Sequence, residues 1–196
     1  MITVGQFVYA LFRPYGETGL LLALFLIFFL DATFFPTLPE LFTVIIFLAM
    51  PVPVFGLLML ATISVAEFSG INSLYFVVRH HDLPAWIKSK MISYSRFFIV
   101  KDEKIILMNR IAPVIPFLGA FIATCEWHYG RSIAYNFIGG LVKYALIILL
   151  ASFLLSIFSN QFEAEVITIV AVGSLIGVSA YLSNREKRRM GMGAEL

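Results

Sequence analysis

The sequence predicts an all-α polytopic membrane protein: an inverted repeat with two opposed re-entrant helical hairpins plus an additional C-terminal transmembrane helix. Three observations carry that prediction. Of 196 residues, 60% are hydrophobic and only 13% charged, with a mean hydropathy of +0.93, a balance that suits lipid rather than water as solvent. Two P-x-x-P pairs, Pro36/Pro39 and Pro113/Pro116, stand 77 residues apart, and each precedes an apolar piece too short to cross a bilayer. The basic residues gather in a central loop and in the C-terminal tail, while the turn at 159–165 is acidic.

Taken in order, residues 1–16 are mixed in polarity and end in Pro14 and Gly16, which suits a short interfacial helix. The apolar run after Glu17, about 18–34, lacks a small-residue cleavage site and reads as a retained first span with Asp31 near its far end. "FFPTLPELF" follows, where two prolines remove backbone donors and disfavour helix just before them. Residues 41–66 are uncharged, but "PVP" at 51–53 cuts the run. The piece 41–50 makes about 15 Å of helix, half of the roughly 30 Å hydrocarbon layer, so it must turn back. Residues 53–78 make a full span carrying Glu67, Gly70 and Asn72.

Residues 79–110 hold seven Lys/Arg against three acids, so the loop of about 79–109 is expected on the cytoplasmic side. Leu83, Trp86, Ile87, Met91, Tyr94 and Phe98 recur in it at helical spacing, which predicts an amphipathic helix on the membrane surface or against the bundle. "IAPVIPFLGAFIATC" then offers only a short uncharged run with two prolines, a second re-entrant piece. Residues 132–158, with Lys143, and 166–183 complete the spans. Residues 1–184 therefore form one membrane domain, with hairpins at about 35–50 and 110–127, and 185–196 a basic cytoplasmic tail. Both termini are expected in the cytoplasm. Charge parity closes only if the first hairpin enters from outside and the second from inside, the plan of inverted-repeat transporters whose broken helices meet near the midplane.

The stretch "LMNRIAPVIPFLGAF", with "SKMISYSRFF" before it and "NFIGGLVKYALIILL" after it, resembles the DedA/VTT family (SNARE-associated Golgi protein-like), and "FPTLPELF" resembles that family's first re-entrant loop. The resemblance covers about residues 20–158. It implies an integral membrane protein that translocates lipids: polyprenyl phosphates in bacterial members, phospholipids in eukaryotic ones. Where the bacterial motif reads G-R-x-x-P-x-x-R, this chain has Asn109, Arg110, Pro113 and Pro116. The R-x-x-P-x-x-P form is closer to the eukaryotic branch, and it leaves one arginine rather than two. The family's acidic residues at the first loop correspond best to Glu40 and more loosely to Asp31.

A charge at the bilayer centre costs about 2.5–3.5 kcal/mol on insertion scales, so each buried one needs a partner or a task. Arg110 is the candidate phosphate ligand, because a guanidinium meets phosphate oxygens as a fork; its bland alternative is an anchor that snorkels to the surface. Half-helices starting near Pro39 and Pro116 would aim free N–H groups at the same place, with Pro36 and Pro113 shaping the tips and Gly119 allowing close approach. Glu40 is the candidate gating or proton-coupling group, paired with Arg110 and aided by Asp31; as an alternative it only caps a half-helix. Glu67 and Lys143 lie 76 residues apart, at similar places in the two halves, and are candidates for an ion pair between them. Gly139-Gly140 and the G-x-x-x-G at Gly173 and Gly177 read as packing within the bundle. Trp86 and Trp127 read as interface anchors, and Cys125, Glu126 and His128 are too few for a metal site.

The expected function is lipid translocation without cofactor or metal, the partners being membrane lipids with phosphate head groups and, for coupling, protons. No nucleic-acid partner, nucleotide motif or paired nucleophile and base is seen, so an enzyme is not expected. The membrane would be the plasma membrane in a prokaryote. A coupled small-solute transporter of the same architecture and a non-transporting scaffold binding through the central loop remain as alternatives. Homo-oligomerisation is not legible.

Overall fold

The computed structural model describes residues 10, 12–33, 37–81, 91, 102–111, 115, 117–158 and 161–189. Among them every regular element is a helix. A short 3-10 turn, Arg13–Tyr15, leads into α1 (Gly16–Thr33), whose first turn carries Glu17. Next come α2 (Pro39–Ala49) and α3 (Pro53–His80), each with a proline in the first turn, where the missing N–H is no loss. Two seven-residue helices, α4 (Ile105–Ile111) and α5 (Leu118–Thr124), precede the long α6 (Tyr129–Ile157) and α7 (Gln161–Arg189).

Three helices, α1, α3 and α6, are long and apolar enough to cross a membrane, as an integral membrane protein requires. They are apolar on both faces. Leu20, Leu24 and Phe28 of α1 meet Phe55, Met59, Ile63 and Ala66 of α3, and Tyr144, Ile148 and Ala151 of α6, in one core. Leu22 and Leu26 of α1, Leu57 and Val65 of α3, and Leu146 and Leu149 of α6 point outward and stay exposed, the pattern of helices solvated by lipid. The α1–α3 seam is tight because of Gly70: a Cβ there would stand 2.7 Å from the Ala32 Cβ and 3.1 Å from the Phe29 carbonyl oxygen.

The 11 residues of α2 span about 16 Å, roughly half a bilayer. α4 and α5, seven residues each, are shorter still: α4 ends at Ile111 and α5 starts at Leu118. α5 starts two residues after Pro116, with Phe117 before it in the left-handed region (φ 54°). Its Leu118, Phe121 and Ile122 join Ile105 and Ile106 of α4 and Ile71 and Tyr75 of α3 in a second core. Pro36, Pro113 and Pro116 lie outside the described residues, as does all of the expected amphipathic helix except Met91, whose sulfur lies 3.8 Å from the Thr124 hydroxyl.

α7 packs on α6 and α2, with Val172 against Val44 and Leu48. It then continues as one helix through the last predicted span into the basic tail. The expectation that Gly173 and Gly177 pack this helix within its own bundle is not met. A Cβ at either would find no described residue within 4 Å, although Val172, next to Gly173, is buried against Val44 and Leu48: the glycines lie off the face that packs.

Candidate functional site

Two ion pairs sit in the apolar interior, and each joins a short helix to a long one. The first is built on Arg110, in the last turn of α4. Its Nη1 donates to Glu67 Oε1 of α3 at 2.8 Å and its Nη2 to Glu67 Oε2 at 2.7 Å, an end-on fork. Nη2 also donates to Asn136 Oδ1 of α6, and Asn136 Nδ2 donates to Glu67 Oε2 at 3.1 Å. Three side chains from three helices thus close a ring of hydrogen bonds. Side-chain exposure of Arg110 and Glu67 is 15% and 10%, so neither snorkels free. The Arg110 Nε is buried without a hydrogen-bond partner among the described residues.

Backbone geometry prepares this ring. Asn109 clasps Ile115 across the proline break: its Oδ1 accepts from the Ile115 N–H at 2.6 Å and its Nδ2 donates to the Ile115 carbonyl at 3.4 Å. That ties the end of α4, and so the root of Arg110, to Ile115. On the facing side, Gly139 and Gly140 of α6 clear the way for the arginine. A Cβ at 139 would lie 2.9 Å from Arg110 Cγ, and one at 140 would lie 3.0 Å from Glu67 Oε2. These two glycines let neighbouring helices approach α6, as expected of small packing residues, and the groups they admit include Arg110 and Glu67.

The second pair joins Lys143 Nζ of α6 to Glu40 Oε1 in the first turn of α2. Lys143 lies two turns beyond Asn136, hence on a related face of α6. Its ammonium also stands 5.5 Å from the ring centroid of Tyr144, which meets Phe28 edge to face. Asp31 takes no part in an ion pair among the described residues. Its Oδ1 accepts from the Thr37 N–H at 2.6 Å and hydroxyl at 3.0 Å, which ties the end of α1 to the entry of α2.

Two expected pairings are therefore corrected. Glu67 does not meet Lys143, and Glu40 does not meet Arg110; the partners are exchanged. Gly119 does allow a close approach, but to protein: a Cβ there would lie 2.3 Å from the Ile71 carbonyl oxygen and 3.0 Å from the Tyr75 nitrogen of α3. Asn136 and Asn109 were not singled out as site residues. The readable signal was an amide inside an apolar span, in line with Ser132 and Gly140 at four-residue steps.

Beside the ring lies a small cavity in the seam between α3 and α6, with room for about one water-sized group, 20 Å³. Ser64 and Glu67 of α3 and Asn136 and Gly140 of α6 supply its polar and open walls, and Phe68 and Phe137, each about half exposed, flank it toward the outside. No protein-family model, curated protein or solved structure matches this chain.

Proposed function

We propose that this chain translocates lipids, in the manner implied by its resemblance to the DedA/VTT family. α2 and the α4–α5 element are then the two re-entrant pieces, entering from opposite faces as halves of an inverted repeat. The head group passes between them while the acyl tails stay in lipid. One observation carries this reading: the reciprocal cross-bracing, in which the short helix of each half is tied to the long helix of the other by one buried ion pair. Interior charges of this kind are expensive in a bilayer and mark substrate paths. Arg110 is the residue assigned to the lipid phosphate, and Glu40 with Asp31 the candidate site of proton coupling. The termini and the basic loop face the cytoplasm. A small, mostly apolar cavity between two lipid-facing helices, with Ser64, Glu67 and Asn136 in its wall, favours a lipid over a small solute, which would enter through a closed central vestibule.

Reconstitution into liposomes with fluorescent phospholipids and a labelled polyprenyl phosphate tests this. Lipid should cross faster in protein-containing vesicles, and Arg110→Ala should slow it by about tenfold or more, the effect of losing a charge-assisted fork. Vesicles in which neither lipid class moves sink the proposal.

A further inference from the structure

The Arg110 fork is full. Both terminal nitrogens are held by Glu67, and Asn136 bridges the two partners. A phosphate can take this site only by parting Arg110 from Glu67, and charge balance then decides what else the ligand must carry. An anionic head group would neutralise Arg110 and leave the Glu67 carboxylate unpaired in an apolar seam, a strongly unfavourable state. A zwitterionic head group has no such defect. Its phosphate replaces Glu67 on the guanidinium, and its ammonium replaces Arg110 on the carboxylate, so one ion pair becomes two.

The surroundings supply a place for each end. On the phosphate side, the buried Arg110 Nε still has a hydrogen to donate, and at Gly139 and Gly140 the α6 backbone, without side chains, lies beside the arginine. On the ammonium side, the cavity borders Glu67 itself, beside the Ser64 hydroxyl and the Asn136 amide, with Phe68 and Phe137 at its rim. Carboxylate, hydroxyl and amide oxygens accept hydrogen bonds, and aromatic faces attract cations. The cavity volume, about 20 Å³, suits a primary ammonium, which is close to water in size, and is too small for a trimethylammonium.

We propose that the Arg110–Glu67 pair is a closed zwitterion site that opens to admit a phosphoethanolamine-type lipid head group, with its phosphate on Arg110 and its ammonium on Glu67 in the α3–α6 cavity. This rests on the translocation reading above and names the substrate class of the same site. Glu67 becomes the residue that determines specificity, and Arg110 holds what all phospholipids share.

The test ranks head groups on the purified full chain in detergent, by binding of phosphatidylethanolamine, phosphatidylcholine, phosphatidylglycerol and phosphatidic acid of matched acyl chains. Phosphatidylethanolamine should bind about tenfold more tightly than the others, as expected for one added charged hydrogen bond. Soluble glycerophosphoethanolamine should compete weakly; competition at equal affinity would make the ligand a free solute and overturn the lipid assignment. Glu67→Gln should remove the preference while leaving phosphatidylglycerol binding unreduced, and Arg110→Lys should weaken all four lipids. Should Glu67→Gln not fold, Glu67→Asp keeps the charge with a shorter reach and should narrow the preference. The ranking in the unaltered protein needs no variant. Phosphatidylglycerol or phosphatidic acid binding as tightly as phosphatidylethanolamine overturns the head-group assignment. If Arg110-dependent lipid transfer persists beside that result, translocation itself stands; if no lipid moves in liposomes, the parent reading falls instead.

Discussion

Arg110 and Glu67 stand 43 residues apart in the chain yet meet end to end, two nitrogens on two oxygens, at the junction of α3, α4 and α6. Removing one partner strands the other. Arg110→Ala should destabilise the fold by about 3–5 kcal/mol, the usual cost of leaving a buried charge uncompensated. The double variant Arg110→Met/Glu67→Met removes both charges and should melt at a higher temperature than Arg110→Ala. Thermal unfolding in detergent checks this, and a double variant no more stable than the single would mean that the pair is not coupled.

The second ion pair should respond asymmetrically. Glu40 sits in the first turn of α2, where the helix dipole favours a carboxylate even without a partner. Lys143 lies midway along α6 with no such support. Glu40→Gln should therefore lower the melting temperature more than Lys143→Gln does. For the same reason the exchange Glu40→Lys/Lys143→Glu should recover only part of the loss, since it places a cation at a helix N-terminus. Equal effects of the two single variants, or full recovery on exchange, would contradict this account.

The long spans were legible because hydropathy is summed over many residues: the expected 53–78 and 132–158 match α3 and α6 to within three residues. The break at "PVP" was legible because proline acts locally. Partner choice was not. Glu67 and Lys143 look like a pair because they occupy similar positions in two similar stretches, but only the packing of α4 across α6 decides which charges touch. The role of Asn109, named only as a motif position, was not legible for a related reason. Its side chain clasps the backbone of Ile115, six residues on, and no periodicity records that. The Gly173/Gly177 spacing misled in the opposite way: the motif is present, but no described residue lies within 4 Å of either Cβ position.

That last point is measurable. With no described residue within 4 Å of either Cβ position, Gly173→Leu and Gly177→Leu should each change stability of the isolated chain by less than about 0.5 kcal/mol, apart from a small gain in helix propensity. A large drop in melting temperature for either would show that the face is covered.

Gly119 and Gly139 give the sharpest contrast, because an added methyl meets backbone at one and a flexible side chain at the other. At 119 the Cβ would lie 2.3 Å from the Ile71 carbonyl oxygen, so α5 must lift off α3 and the second core opens. Gly119→Ala should cost about 1–3 kcal/mol or more, as overpacking does, and should lower the melting temperature and lipid transfer together. At 139 the Cβ would lie 2.9 Å from Arg110 Cγ, which can rotate away. That rotation misaligns the fork with Glu67 and Asn136 while the hydrophobic cores stay intact. Gly139→Ala should therefore keep most of the melting temperature and lose most of the lipid transfer, and Gly139→Ser should behave alike. Paired melts and transfer rates for the two alanine variants decide the matter: if Gly139→Ala transfers lipid at the unaltered rate, the placement of Arg110 against α6 is not what governs transport.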